Sequence, residues 1–221
     1  MSYILNIETA TKNCSVSLAK NGTTVLWKEI AEQGYSHAEK LHVFIEEILK
    51  ESGINFQEIK AIAVSKGPGS YTGLRIGVSS AKGLCYALGI PLISIDTLQV
   101  LTKQVVIENG LIVPMIDARR MEVYSAVFDA NHTKIMEVQA EVLSEDSYAE
   151  ITENIYFIGD CQEKCQTVLT KANFTFLSNI VFPSAKDMSA LSFAKFTQND
   201  FEDVAYFEPF YLKDFMLPKK T

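Results

Sequence analysis

The hydrophobic and polar positions in the first third of the chain predict a β-hairpin sheet followed by a helix. Three segments read as strands by their apolar or alternating pattern, at residues 3–8, 14–20 and 23–27. Asn21 and Gly22 separate the last two, a pair typical of a tight hairpin turn. Residues 36–51 then carry apolar side chains on one helical face, with Ser36 as N-cap and Gly53 as the stop.

The rest of the chain alternates between the two element types. Further strands are predicted at residues 59–65, 90–95, 111–116, 122–128, 136–143 and 155–158. Further helices are predicted at residues 70–88, 97–107 (capped by Asp96 or Thr97), 162–169 and 188–196. This order predicts an α/β fold with mixed sheets in two packed lobes, residues 1–107 and 108–221. The aromatic segment 207–212 is expected to dock back on the body.

The net charge of the chain argues against one class of function. The chain has 221 residues, with 20 Lys+Arg against 27 Asp+Glu and a formal charge of −7. That balance argues against autonomous binding to nucleic acid, because such affinity comes mostly from cations that neutralise phosphates. The first residues lack a basic segment followed by a long apolar one, and no apolar run approaches ~18 residues. We therefore expect a cytoplasmic protein without a membrane span.

Cysteine and histidine give no clear metal or nucleophile set. The four cysteines, Cys14, Cys85, Cys161 and Cys165, lack the spacing of a zinc site, so reduced structural thiols are predicted. His37 and His42 are five residues apart, which rotates them about 140° from each other on a helix. They cannot share one ion, and Leu41 occupies the i+4 position that would pair with His37.

The most informative segment is the glycine-rich turn and helix at residues 65–77. It lacks the Lys-Ser/Thr of a P-loop, and its glycine spacing does not fit the dinucleotide fingerprint. A stripe of minimal side chains recurs every four residues instead, at Gly69, Gly73, Gly77 and Ala81, named here the glycine stripe. Helical glycine costs roughly 1 kcal/mol relative to alanine, which suggests close approach of another backbone. That backbone can belong to the chain itself or to a partner, and Arg75 projects away from the stripe.

Two acidic residues lie at the ends of predicted buried strands, which is where active-site clefts form in α/β folds. These are Glu8, followed by Thr9 and Lys12, and Asp117, followed by Arg119. The alternative is that each caps a turn or forms a local ion pair. No Ser-His-Asp or Cys-His set can be assembled from the sequence.

These features together resemble the TsaB (YeaZ) family. The resemblance rests on the opening Ile4-Leu5-Asn6-Ile7-Glu8-Thr9-Ala10 and above all on residues 67–77, Gly-Pro-Gly-Ser-Tyr-Thr-Gly-Leu-Arg-Ile-Gly. It continues through Ala81-Lys82-Gly83-Leu84 and Ile116-Asp117-Ala118-Arg119 to Pro209-Phe210-Tyr211-Leu212. The family commonly has Asp at the position of Glu8.

The resemblance implies an actin/hexokinase/Hsp70-like (ribonuclease H-like) fold and a non-catalytic role. The chain is expected to pair with the relative TsaD through its first two helices and, with the ATPase TsaE, to support threonylcarbamoyl transfer to the adenosine beside the tRNA anticodon. Alone it is expected to form a homodimer, and to reach tRNA only indirectly. The expected partner-binding residues are His37, Leu41, Ile45, Tyr71, Gly73, Leu74, Arg75, Gly77 and Ala81.

The resemblance implies no intrinsic cofactor, metal or catalytic residue, although ATP or ADP at the interface with TsaD is considered. The residues that would contact such a nucleotide are Glu8, Thr9, Lys12 and Asp117. Two other hypotheses stay open from sequence. The chain is an independent enzyme of the same fold, kinase-like or metallopeptidase-like, or it is a self-associating dimer with a separate regulatory role.

Overall fold

The computed structural model of the chain describes residues 1–31 and 37–213. Its first sheet has five strands in the order β3-β2-β1-β4-β5. They are β1 Tyr3–Glu8, β2 Cys14–Lys20, β3 Thr23–Ile30, β4 Ile59–Gly67 and β5 Leu92–Asp96. Strand β1 pairs antiparallel with β2 and parallel with β4, so the sheet is mixed as predicted.

A second five-stranded sheet has the order β10-β9-β6-β7-β8. Its strands are β6 Leu111–Asp117, β7 Glu122–Asp129, β8 Lys134–Val142, β9 Ile155–Gly159 and β10 Phe174–Phe176. The helices are α1 His37–Ser52, α2 Tyr71–Leu88, α3 Thr97–Thr102, α4 Gln162–Cys165 and α5 Ser189–Gln198, with 3-10 turns at Phe56–Glu58 and Ala185–Met188. None of the helices within the described residues is long and apolar enough to cross a membrane.

Strand β1 is buried on both faces because helices cover both sides of the first sheet. Leu5 and Ile7 point into the core beneath α1 and α2. Ile4, on the opposite face, packs in a second core to which α5 contributes Leu191 and Phe193. Burial on both faces explains why residues 3–8 are an apolar run, because alternate side chains enter two different cores.

The second sheet is also covered on both faces. Val113, Met115 and Val127 pack against α4 on one side. On the other side Leu98 and Leu101 of α3 pack against strands β6, β7 and β9, so α3 lies against the second sheet although it follows the first. The predicted division at residue 107 separates the strands of the two sheets. Helix α5 nevertheless packs on the first sheet.

Two predicted helices are shorter in the structure, and one predicted cap cannot be compared. Asp96 caps α3 by accepting the Leu98 N–H at 3.0 Å, but the helix ends at Thr102 and not near residue 107. The Val105 N–H donates to the Thr102 carbonyl in a tight turn at that point. Helix α4 ends at Cys165 and not at residue 169. Ser36, the predicted cap of α1, lies outside the described residues.

Candidate functional site

Helices α1 and α2 lie side by side on one face of the first sheet, and their inner sides form its main core. Leu41 and Ile45 of α1 and Ala81 of α2 are buried in that core, and Leu74 of α2 is buried beside Gly67. Their predicted role as direct partner contacts is corrected, because apolar side chains at this spacing on an amphipathic helix face the chain's own core.

The glycine stripe also faces inward. A Cβ atom on Gly73 or Gly77 would lie closer than 3.0 Å to the carbonyl or hydroxyl oxygen of Thr9, at the end of β1. A Cβ on Gly69 would collide in the same way with the Ala10 backbone. The Thr9 hydroxyl donates to the Gly73 carbonyl at 2.8 Å, which fixes the close approach. The interface interpretation of Gly73 and Gly77 is thus corrected: the backbone that approaches is that of the same chain.

The outer side of the two helices carries a different set of residues. Val43 of α1 is 44% exposed and Tyr86 of α2 is 87% exposed. Helix α2 also carries an exposed row of small residues, Ser79, Gly83 and Ala87. Nothing lies within 4 Å of a Cβ built on Gly83, so no internal contact requires that glycine. We call these five residues the outer face. Sequence reasoning missed it, although the spacing of four residues from Ser79 to Ala87 is a signal that could have revealed it.

Tyr71 and Arg75 mark the edge of this face, beside the C-terminal segment at residues 203–213. The aromatic rings of Tyr71 and Tyr211 are 5.0 Å apart, and the Phe210 N–H donates to the Lys66 carbonyl at 2.7 Å. These contacts hold the segment 207–212 against the end of β4 and the start of α2. Arg75 is exposed and projects away from the glycine stripe, as predicted.

The carboxyl group of Glu8 is sealed inside the protein, with 0% of the residue exposed. One oxygen accepts the Ala10 N–H at 2.6 Å, and the other accepts the Ser65 hydroxyl. Burial raises the pKa of Glu8 to about 7, although these hydrogen bonds act in the opposite direction. Thr9 is buried as well. Direct nucleotide contact by Glu8 and Thr9 is therefore corrected, since neither side chain reaches the surface.

His37, at the start of α1, is buried and holds the turn between β1 and β2. Its Nε2 lies 2.9 Å from the Thr11 carbonyl oxygen, and burial lowers the pKa of the imidazole. His42 is exposed and contacts the Ser80 hydroxyl at 3.3 Å, so the two histidines point apart as predicted. Within residues 1–31 and 37–213, no three His, Cys, Asp or Glu side chains come together as a metal-binding group.

Lys12 and Asp117 are exposed, so both could reach a ligand. Asp117 forms an ion pair with Lys164 and accepts the Arg119 N–H at 2.9 Å, which is the turn-capping role left open from sequence. Their contact with a nucleotide stays a prediction. All four cysteines are buried free thiols, as predicted.

Comparison with known proteins places the chain in a family. It is 30% identical over 198 residues to the tRNA threonylcarbamoyladenosine biosynthesis protein TsaB of Buchnera aphidicola, covering 85% of this chain and 86% of that protein. The chain belongs to the TsaB family. The TsaB protein of Escherichia coli is 28% identical over 226 residues, which cover 98% of this chain and 97% of that one.

Two further comparisons concern the fold and a related family. The family model of TsaD, tRNA N6-adenosine threonylcarbamoyltransferase, matches residues 29–214 of this chain. The solved structure of YeaZ from Pseudomonas aeruginosa superposes with a TM-score of 0.82 at 24% identity, covering 96% of this chain and all of that one. The predicted α/β fold with two mixed sheets is confirmed, and this chain shares its fold with the YeaZ structure.

Proposed function

We propose that this chain is a non-catalytic subunit that binds the TsaD protein of the same source through the outer face of α1 and α2. In this role it supports, together with TsaE, the transfer of threonylcarbamoyl to the adenosine beside the tRNA anticodon. The observation that carries the proposal is Gly83, an exposed glycine in the middle of a helix with open space around it.

The energetics of Gly83 favour a helix–helix contact at this position. Glycine in a helix interior is destabilising by roughly 0.5–1 kcal/mol relative to alanine, and nothing inside this chain offsets that cost. Ser79 and Ala87 extend the row of small residues along the helix, while Val43 and Tyr86 supply apolar contact area beside it. A partner helix that crosses at Gly83 would approach the backbone closely and bury both apolar side chains.

The interior of the chain supports the non-catalytic part of the proposal. Leu41, four residues after His37, is packed in the core, so a metal-binding histidine pair cannot form on this helix. The Glu8 carboxyl is sealed from any substrate. Burial raises the pKa of the Cys14 and Cys85 thiols to about 12, which makes both poor nucleophiles.

The same outer face serves the proposed homodimer when TsaD is absent, since two copies can cross their α2 helices in the same manner. Self-association and TsaD binding then compete for one surface. An ATP or ADP molecule at the interface with TsaD is part of the proposal, with Lys12 and Asp117 as the exposed candidates for contact.

The test is Gly83→Leu, which adds bulk where the partner helix is proposed to lie. Leucine is a better helix former than glycine, so α2 should stay folded and slightly gain stability. We expect binding to the TsaD protein, measured by isothermal titration calorimetry, to weaken by at least about tenfold, equivalent to about 1.4 kcal/mol. Light scattering on the variant alone should show loss of the homodimer.

The matched control is Ala194→Leu, which adds the same side chain at an exposed position of α5, on the opposite face of the sheet. This control should bind TsaD with unchanged affinity. Equal binding by wild type and the folded Gly83→Leu variant would exclude the outer face as the contact surface.

A further inference from the structure

Arg75 is held in a fixed position although it is exposed. Its Cζ atom lies 4.2 Å from the centroid of the Tyr71 ring, in a cation–π contact. Its Nε–H donates to the Tyr211 hydroxyl at 3.2 Å, and the two tyrosine rings pack 5.0 Å apart. An exposed arginine ordinarily samples many rotamers, so this arrangement removes side-chain entropy in advance of any further contact.

The C-terminal segment that supplies Tyr211 is itself fastened along α2. The Lys82 ammonium donates to the Ala205 carbonyl at 3.1 Å and to the Phe207 carbonyl at 2.8 Å. Further on, the Phe210 backbone binds the end of β4, where a Cβ on Gly67 would collide with the Phe210 carbonyl. The segment therefore lies along one side of α2, and α1 lies along the other side.

Arg75 lies where the C-terminal segment meets the outer face. It precedes Ser79 by one helical turn, so the two lie on the same side of α2. Its hydrogen bond to Tyr211 uses Nε, and within residues 1–31 and 37–213 its two terminal nitrogens make no hydrogen bond. The planar fork of these nitrogens matches a carboxylate in two parallel hydrogen bonds.

We propose that Arg75 pairs with a carboxylate side chain of the partner subunit, and that Tyr211 is the positioning residue that presents its guanidinium. This inference rests on the proposed function and adds a determinant of specificity to it. The C-terminal segment thereby becomes part of the binding surface.

A single acidic side chain fits this location better than a polyanion such as RNA. The neighbouring outer-face residues Ser79, Gly83 and Ala87 are uncharged, and Glu208 lies close enough to Arg75 to interact electrostatically. Binding to nucleic acid depends on many cations that act together, and the chain carries a net charge of −7. A single arginine in a fixed position, beside uncharged helix residues, is instead suited to determine where a protein partner sits along α2.

The experiment measures binding of the full chain to the TsaD protein by calorimetry at low and at high salt, without tRNA. Arg75→Ala should weaken binding roughly tenfold at low salt and reduce its salt dependence, because a charge-assisted pair is lost. Tyr211→Phe keeps the ring and removes the hydroxyl, so we expect a smaller loss of roughly threefold with an unchanged thermal midpoint. Lys60→Ala removes an exposed cation elsewhere and should bind as wild type does.

The outcomes separate this inference from the function on which it rests. If Gly83→Leu abolishes binding while Arg75→Ala does not change it, the function stands and the inference is overturned. If neither variant changes binding, both are overturned. A loss that appears only when tRNA is present would assign Arg75 to nucleic acid and overturn the carboxylate pairing. A change in protease resistance of the C-terminal segment without any change in affinity would reduce the cluster to a structural role.

Discussion

Gly73→Ala is expected to lower the free energy of unfolding by about 3 kcal/mol or more, the upper range for overpacking a core. The new Cβ would lie closer than 3.0 Å to the Thr9 carbonyl oxygen, a backbone atom that cannot move away cheaply. The Thr9 hydroxyl also donates to the Gly73 carbonyl, so separating α2 from the end of β1 would break that bond. Urea unfolding of both proteins, followed by circular dichroism, measures the difference.

Gly83→Ala is the matched control on the same helix. Its Cβ meets nothing within 4 Å, so the substitution should raise the free energy of unfolding by about 0.5–1 kcal/mol through helix propensity alone. The two glycines are ten residues apart in one helix and should therefore shift stability in opposite directions. Equal stability of wild type and Gly73→Ala would contradict the packing of the glycine stripe against Thr9.

Glu8→Gln is expected to stabilise the protein at alkaline pH and to have little effect in acid. Burial raises the pKa of the folded carboxyl from its usual 4.5 to about 7, so the folded state holds the proton more tightly than the unfolded state does. Wild-type stability from this group is greatest below pH 4.5, falls as the pH rises to about 7, and is constant above that. Glutamine does not titrate, and its amide can bond to both Ala10 and Ser65.

The stabilisation by Glu8→Gln should be about 3 kcal/mol larger at pH 8 than at pH 4. Unfolding curves of wild type and variant across this pH range measure the difference. Other titrating groups cancel in the comparison because both proteins contain them. Glu150→Gln makes the same chemical change at an exposed position and serves as the matched control. A Glu8→Gln gain that is the same at both ends of the range would show that the buried carboxyl does not titrate as described.

Much of the fold follows from local pattern. Strand β1 and strand β2 begin and end where alternation and apolar runs predict, because both kinds of pattern report burial directly. Ser70 is the N-cap of α2, and Gly89 ends the helix in a left-handed backbone conformation. Each of these signals is carried by a single residue, so the sequence alone reveals it. The end of α3 could not be predicted, since apolar residues such as Val105 continue past Thr102 and pack in the same core without helical geometry.

The candidate site could be predicted only in part. The exposure of Arg75 follows from its place on the helix away from the glycine stripe. For Gly73 and Gly77 the sequence leaves two neighbours open, and the resemblance favours the partner where the structure has Thr9 of the same chain. Periodicity shows that these glycines share one side of α2, yet whether Thr9 or a partner lies against that side depends on how the end of β1 meets the helix. The contact of Arg75 with Tyr211, 136 residues away in sequence, has no local signal at all.

The most direct test of the account is the amount of threonylcarbamoyladenosine formed in tRNA by the TsaD and TsaE proteins of the same source, supplied with threonylcarbamoyl-adenylate. With this chain added, product should form. It should be lost with the folded Gly83→Leu variant, retained with Ala194→Leu, and not made by this chain alone. Equal product without this chain, or with Gly83→Leu in its place, would contradict the proposal that it acts by binding TsaD through the outer face of α1 and α2.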